Sequence, residues 1–485
     1  LIDALIPTVL YLFCKALAFV AARNRTLERS NMLSLCNKKC LLAFIFLFIG
    51  QAIQSNSSLS RSDYFPVYKT LEPHSYLYTR VKDQLHGRTN EENKLNKGAL
   101  SISPFGINAN IGKNIDNVSK KLPNIGGNWG MIGLLMGDIP DGKSFTPTIL
   151  TARTALYPTS SPTTPLEDST NIDCEEKFGF FEFPATYRKR GLRFEFSIGI
   201  FDDLCFSVQG GASEINYVID CSNNLTEAES GCQTLSKADV DNYLMCKLQP
   251  IADELELCLE NFHKSSIEDI RFNLFWRKAI EMNKDADGWP RFLLIPHLSA
   301  GFTIGAGDEK ETLRAFGLPF GNNGHNALGF LGGINLDFTE TIEIGFDVGF
   351  DYFFEKTFSN YPLPTSKLQK GIYPFRATVE IHPGYNWHFG LKLNAHHFLG
   401  KLSFYAQWVI IEHMNDKITA CDNADGAFKP EVLEKRSGWK AQIINTALNY
   451  DVSPHVGLGF LWQAPISQRN VFRSTTVMFG INFSF

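Results

Sequence analysis

The residues best equipped for chemistry fall into three groups, and each demands a different setting. Gly137-Asp-Ile-Pro-Asp-Gly142-Lys143-Ser144 matches the phosphate-loop pattern G-x4-G-K-[ST]. That motif works by turning backbone N–H groups onto a phosphate ahead of a helix. Here Asp138 and Asp141 would set negative charge beside the anion, Pro140 removes a donor, and Pro147 is expected to interrupt the following helix. Nucleotide binding is therefore disfavoured. The second group is Cys221, Cys232, Cys246 and Cys258, with ten to thirteen residues between neighbours. No C-x-x-C knuckle for zinc results, and the spacing suits disulfides in an oxidising compartment. Pairs 221–232 and 246–258 are the simplest of three connectivities. The third group is ionisable and widely spread: Arg193, Glu195, Arg271, Arg277, His297, Asp337, Glu343, Asp347, Asp351, His388 and Lys392.

That third group acquires meaning from the residues between its members. From Thr341 to Phe354, Ile342, Ile344, Phe346, Val348, Phe350, Tyr352 and Phe354 alternate with Thr341, Glu343, Gly345, Asp347, Gly349 and Asp351. Period-two alternation describes a strand with one apolar and one wet face. Leu192 to Ile200, Tyr385 to Leu393, Val456 to Trp462 and Val477 to Phe485 repeat it. Seven large apolar residues in register exceed the needs of an ordinary globular strand of about five or six residues. They fit a tilted membrane-spanning strand of roughly 9–11 residues. The expected fold class is all-β: an antiparallel transmembrane β-barrel of about twelve strands, with ten to sixteen as the range. The eleven ionisable residues then line its lumen. Acidic Glu343, Asp347 and Asp351 lie on one strand, with Arg271 and Arg277 on another. Such rows either impose a field across an aqueous channel or pair and hold a narrow interior shut.

Strands are expected near 178–187, 192–201, 204–213, 267–277, 292–306, 327–338, 341–355, 386–397, 401–413, 437–450, 455–464 and 473–485. Tight turns at 201–203, 338–340, 398–400 and 451–454, with the longer link 278–291 as the exception, alternate with long connections at 214–266, 307–326, 356–385, 414–436 and 465–472. Short turns at one end and long loops at the other are a barrel regularity. Segment 372–381 would upset strand parity unless it belongs to its long loop. Strand 437–450 switches its apolar face near Asn445, which suggests a bulge. Ser236 is a plausible N-cap for a short helix in the Cys-containing loop, with a second near 251–258.

The remaining organisation is read from composition. Met32 to Ala52 has a basic start, an apolar stretch and a small-x-small ending, the order of a signal peptide. Residues 1–31 read as upstream sequence translated from a wrongly chosen start, and 53–97 as a polar linker. Residues 98–177 supply a partly ordered plug or extra strands, and 178–485 the barrel. A net charge of -5 without a basic, aromatic-rich cluster argues against nucleic acid. His388, His396 and His413, with Ser403 nearby, show no spacing that demands a triad or a metal site. No catalytic residue, metal or cofactor is expected, and the chain reads as a non-enzyme.

The closing run Val477 to Phe485 resembles the last strand of Gram-negative outer-membrane barrels, which typically ends on an aromatic residue. That resemblance implies an assembly signal at Ile481, Phe483 and Phe485, read by the barrel-assembly machinery, and residence in outer-membrane lipid. Ile267 to Trp276 and Pro296 to Gly307 are similar to paired strands of channels for hydrophobic or aromatic compounds, the long-chain fatty-acid transporter type included. Those commonly read G-x-G-D and P-T-G where this chain has Ile267-Glu268 and Gly305-Ala306-Gly307. The expectation is a porin-like channel for small solutes, with homo-oligomerisation left open. The alternatives are a non-conducting barrel whose outer loops bind a partner or surface, and a hydrophobic-compound transporter.

Overall fold

The computed structural model describes residues 98–122, 128–158, 178–201, 203–220, 222–226, 235–284, 290–338, 342–423, 425–453 and 455–485. The expected segments 1–31, 32–52 and 53–97 lie outside the described residues, as do Cys221 and Cys232.

Twelve strands form one ring. They are β1 (Gly98–Lys113), β2 (Ala185–Phe201), β3 (Leu204–Ile219) and β4, the last in three pieces (Phe262–Ile267, Ile270–Arg277, Ile280–Lys284). Then follow β5 (Pro290–Ile304), β6 (Ala327–Phe338), β7 (Ile342–Phe353) and β8 (Asn386–Leu399). The ring is completed by β9 (Leu402–His413), β10 (Trp439–Ser453), β11 (Val456–Arg469) and β12 (Val471–Ser484). Each strand pairs antiparallel with its successor, and β12 pairs back onto β1. At the seam Gly98 and Phe485 exchange both backbone hydrogen bonds at 2.9 Å, so the ring has no free edge. The Phe485 ring lies against Gly98, where an added Cβ would come within 2.5 Å of it.

Strand number agrees with the sequence, but membership does not. Of the expected strand 178–187, only Ala185–Tyr187 belongs to the wall, as the upper end of β2, which runs unbroken from Ala185 to Phe201; Phe180–Glu182 pairs instead with Trp129–Gly130 and Asn223–Asn224 in a small separate sheet. The twelfth strand comes instead from Gly98–Lys113, in the region read as plug or extra strands. The expected loop 465–472 is almost all strand, and Asn470 alone joins β11 to β12. Its positive φ of 59° suits an Asn in so tight a link.

All three differences have one physical cause: several strands run well past the lipid. On β2, Leu192, Phe194, Ile198 and Ile200 face outward and are exposed, while Arg193, Glu195 and Ser197 face inward and are buried. Higher on the same strand the polarity inverts. Arg188 and Arg190 are outside, and Ala185 and Tyr187 are buried inside. Strand β10 inverts likewise, with Asn445 inside below and Trp439, Ala441 and Ile443 inside above. Its pairing with β9 is unbroken; a register shift occurs against β11 between Gln442 and Ile443. The switch of apolar face near Asn445 therefore marks the change of surroundings as well as a bulge. Leu298, Phe330 and Phe479 are more than half exposed on the outer belt. That pattern suits lipid outside and a polar inside, the reverse of a soluble barrel.

The inward apolar residues of the upper tier pack under a cap built from the long connections. Helices Pro147–Leu156, Lys237–Tyr243, Leu248–Glu254 and Glu431–Ser437 contribute, with a three-stranded sheet of Lys356–Leu363, Phe375–His382 and Lys417–Ala420. Segment 372–381 thus belongs to its long connection and leaves barrel parity intact. Ser236 does cap its helix, accepting from Asp239 N at 3.1 Å. Trp129 is fully buried against Phe183 and Phe316, with ring centroids 4.7 and 5.5 Å away. Leu134, Ile149, Val240, Ile251, Val379 and Leu433 extend this core, which is continuous with Phe105, Ile107, Tyr187 and Ile443 of the barrel wall. Each fully buried side chain of this size stabilises by about 1.5–3 kcal/mol.

Candidate functional site: the charged inner wall beneath a folded cap

Alternation places polar groups on the inner wall, and register decides which of them meet. Glu343 accepts from Asn335 Nδ2 at 2.6 Å and lies 3.1 Å from an Arg277 guanidinium nitrogen. Lys392 Nζ stands 3.7 Å from Asp347 and 3.5 Å from His297 Nε2. Arg271 lies 3.7 Å from Asp351 and donates to Asn273 at 3.0 Å. Asp337 is buried in register opposite Glu343, and Glu195 accepts from Ser197 at 3.4 Å. His388 is buried over Gly349, whose added Cβ would come within 2.0 Å of the imidazole. Arg193 makes a bidentate pair with Glu268 at 2.7 and 3.1 Å.

The eleven ionisable positions named from the sequence are buried or half-buried on the strand face opposite the exposed apolar belt. The acidic row on β7 and the basic row on β4 are separated in the ring by two strands, β5 and β6, and touch directly, rather than facing each other across a lumen. Contact of this kind neutralises the rows locally. Inner glycines give the charged side chains room to lie along the wall. A Cβ on Gly390 would come within 2.3 Å of Asp347, and one on Gly329 within 2.4 Å of Asp351.

Sequence reasoning missed two parts of the site. One is an amide belt running from Asp347 through Gln407, Asn445 and Gln463 to Thr476, with successive distances of 3.5, 3.2, 2.9 and 3.2 Å. These uncharged residues share the inner register of the named ones, so alternation was the available signal. The other is a buried cluster at the boundary between tiers. Lys189 Nζ lies 2.7 Å from Glu268, and the Arg193 guanidinium sits 4.0 Å over the Phe105 ring. Lys189 follows from extending β2 upward. Glu268 does not follow from alternation, because β4 spends four steps from Ile267 to Arg271 where β3 spends three, from Ala212 to Gln209. This bulge turns Glu268 inward while Ile267 stays outside. Its neighbour Asp269 accepts from the cap backbone at Gly307 N (3.2 Å) and Asn322 N (2.5 Å).

Other expectations need correction. Cys246 and Cys258 are free thiols, so the 246–258 pair does not form. Cys258 is held by backbone bonds to Leu313 and Ala315, while Cys246 is exposed in the turn Met245–Lys247. A helix does follow the phosphate-loop-like segment. Pro147 starts it rather than interrupting it, at the position where a missing N–H costs nothing. Lys143 is already engaged, donating to Arg376 O and lying over Phe428. Among the described residues no cluster of three or more His, Cys, Asp or Glu is arranged to hold a metal ion.

In the cap connection, burial pushes the His325 imidazole down to about 4, partly opposed by its hydrogen bond with Phe354 O. It is neutral at ordinary pH.

No family model matches this chain, and no curated protein matches it. Solved structures similar to it include an outer-membrane channel from Pseudomonas putida F1, 8% identical, covering 80% of this chain and 96% of that one at a TM-score of 0.42. The translocator domain of the autotransporter NalP from Neisseria meningitidis is 8% identical, covering 85% and 94% at 0.34. The CymD monoaromatic hydrocarbon channel is 9% identical, covering 80% and 89% at 0.29. Likeness at this level describes a barrel and carries no assignment of activity.

Proposed function

We propose that this chain is an outer-membrane channel for small polar solutes whose mouth at the cap end is closed by a folded, apolar-cored gate. The observation that carries this reading is the inner wall of the lipid tier. It bears Arg, Lys, His, Asp and Glu side chains and a continuous amide belt, where a simple membrane anchor needs only inert filling. Buried charge is costly to maintain, and inside membrane proteins it commonly marks a solute or ion path. Paired charges on a glycine-relieved wall offer hydrogen-bond partners of both signs without net attraction for one ion. The seam at Gly98 and Phe485 would face the periplasm and the cap would face outside.

Planar-bilayer recording tests this. The wild type should show rare stepwise openings. Trp129→Ala, which hollows the cap core while leaving the wall intact, should raise their frequency at least about tenfold. Asp347→Asn should change the cation-to-anion permeability ratio of those openings. Silence from both wild type and Trp129→Ala, in protein whose gel migration proves a closed barrel, would overturn the channel reading. It would favour a non-conducting barrel with a binding surface, a reading to which the fixed shape of the cap lends itself.

A further inference from the structure

On the outer surface, where the apolar belt ends, the sector around β11, β12, β1 and β2 is basic. Strand β2 passes from Leu192, Phe194 and Ile198 in the belt to Arg190 and Arg188 directly above it, all exposed. On the adjacent β1, Ile111 stands in register between Arg473 of β12 on one side and Lys121 on the other. Lys121 belongs to a short strand, Ser119–Lys121, that takes the place of β2 alongside the top of β1. Strands pack about 4.8 Å apart, so two spacings bring Arg473 and Lys121 within about 10 Å. Exposed Arg469, at the top of β11, ties into the same sector by donating Nε to Ile115 O at 3.0 Å.

Unlike the cations of the inner wall, these are mostly unneutralised. Arg190 is paired with Glu214 at 2.8 Å. Among the described residues, Lys121, Arg188, Arg469 and Arg473 have no acid within ion-pairing distance. The one acid in the adjoining hairpin, Asp116, is engaged by Asn114 Nδ2 at 3.4 Å. Four unpaired cations on neighbouring strands therefore stand at the level where a membrane's headgroups lie, with an apolar surface beneath them for acyl chains.

We propose that this sector binds a phosphate-bearing lipid headgroup of the leaflet at the cap end. Arg188 and Arg473 present planar forks that match phosphate oxygens two at a time, and Lys121 adds a point charge between them. A free anion would use the charges alone. A lipid also uses the belt below, formed by Leu192 and Phe194, and the continuity of the two surfaces favours it. The site depends on the barrel spanning a membrane and does not depend on conduction.

Native mass spectrometry of the full chain in detergent, titrated with a bis-phosphorylated glucosamine lipid, tests the proposal. The triple variant Lys121→Gln/Arg188→Gln/Arg473→Gln should lose about a hundredfold in affinity, at roughly fivefold per cation. The exposed single variant Arg188→Gln, which removes no packing, should lose about fivefold. Lys417→Gln, on the cap, should change nothing. Inorganic phosphate at matched phosphate concentration should fail to displace the lipid. Unchanged binding by Arg188→Gln and by the triple variant, or ready displacement by inorganic phosphate, would overturn the assignment. Heat-modifiable migration checks each variant for barrel closure, so failure of the site is distinguishable from failure of the barrel.

Discussion

The lipid tier and the cap tier are built from the same strands with opposite rules. Below the boundary, β2 turns Phe194 and Ile198 out and Arg193 and Glu195 in; above it, Arg188 faces out and Tyr187 in. Below, cohesion inside the wall is polar: ion pairs at 3.1–3.7 Å and a chain of amides. Above, it is the packing of Trp129, Phe183 and Phe316 against the top of the barrel. Each tier hides from its own surroundings whatever those surroundings solvate poorly. A strand can therefore change environment midway without a break in its backbone, provided its side chains swap roles at the boundary.

The boundary cluster offers the severest way to break this arrangement. Glu268→Gln leaves Lys189 and Arg193 buried around an uncharged partner. Removing one member of such a group costs about 3–5 kcal/mol. Urea unfolding in lipid vesicles should show that loss, and Glu268→Asp should recover part of it; a change below about 1 kcal/mol would mean that the pairing contributes little.

A matched pair of outer-face substitutions sharpens the contrast. Phe346→Arg, in the belt, should destabilise the folded barrel by about 2–4 kcal/mol. Asn216→Arg, outward on β3 above the boundary, should stay within about 0.5 kcal/mol. Equal costs in vesicles would erase the distinction between tiers.

The smallest expected effect is on pH. His325 in the folded cap is pushed down to about 4 by burial, whereas the unfolded chain protonates near its ordinary value of about 6.5. The unfolded state therefore binds more protons between those values. Stability of the cap is full above about 6.5 and falls as pH drops toward 4, by about 1 kcal/mol between pH 7 and 5.5. Hydrogen exchange of cap amides at the two pH values should show the change, and His325→Gln should abolish it. Retention of the full pH response in His325→Gln would assign it to other groups.

The sequence reading and the structure agree where one periodicity holds along a strand. Between Ile342 and Phe353 alternation alone fixed both faces, and with them Glu343, Asp347 and Asp351. They part company where the environment changes midway. Alternation splits Ala185–Tyr187 from the rest of β2 and reads the tops of β11 and β12 as a loop, because polar residues facing outward look like a connection when lipid is assumed throughout. For Gly98–Lys113 the sequence leaves plug and extra strand open for the same reason: above Pro104 its outward positions are Gly106, Asn108 and Asn110.

What the sequence determined by itself, then, is the barrel class and the facing of the side chains in the lipid tier, because a two-residue repeat is a local property of the chain. The tertiary structure decided which strand closes the ring, which charges meet, and that the long connections fold into a cap with a core of its own. Each of those depends on register between segments far apart in the chain. A single extra residue at Glu268–Asp269 is enough to send a carboxylate inward that alternation would have sent into lipid.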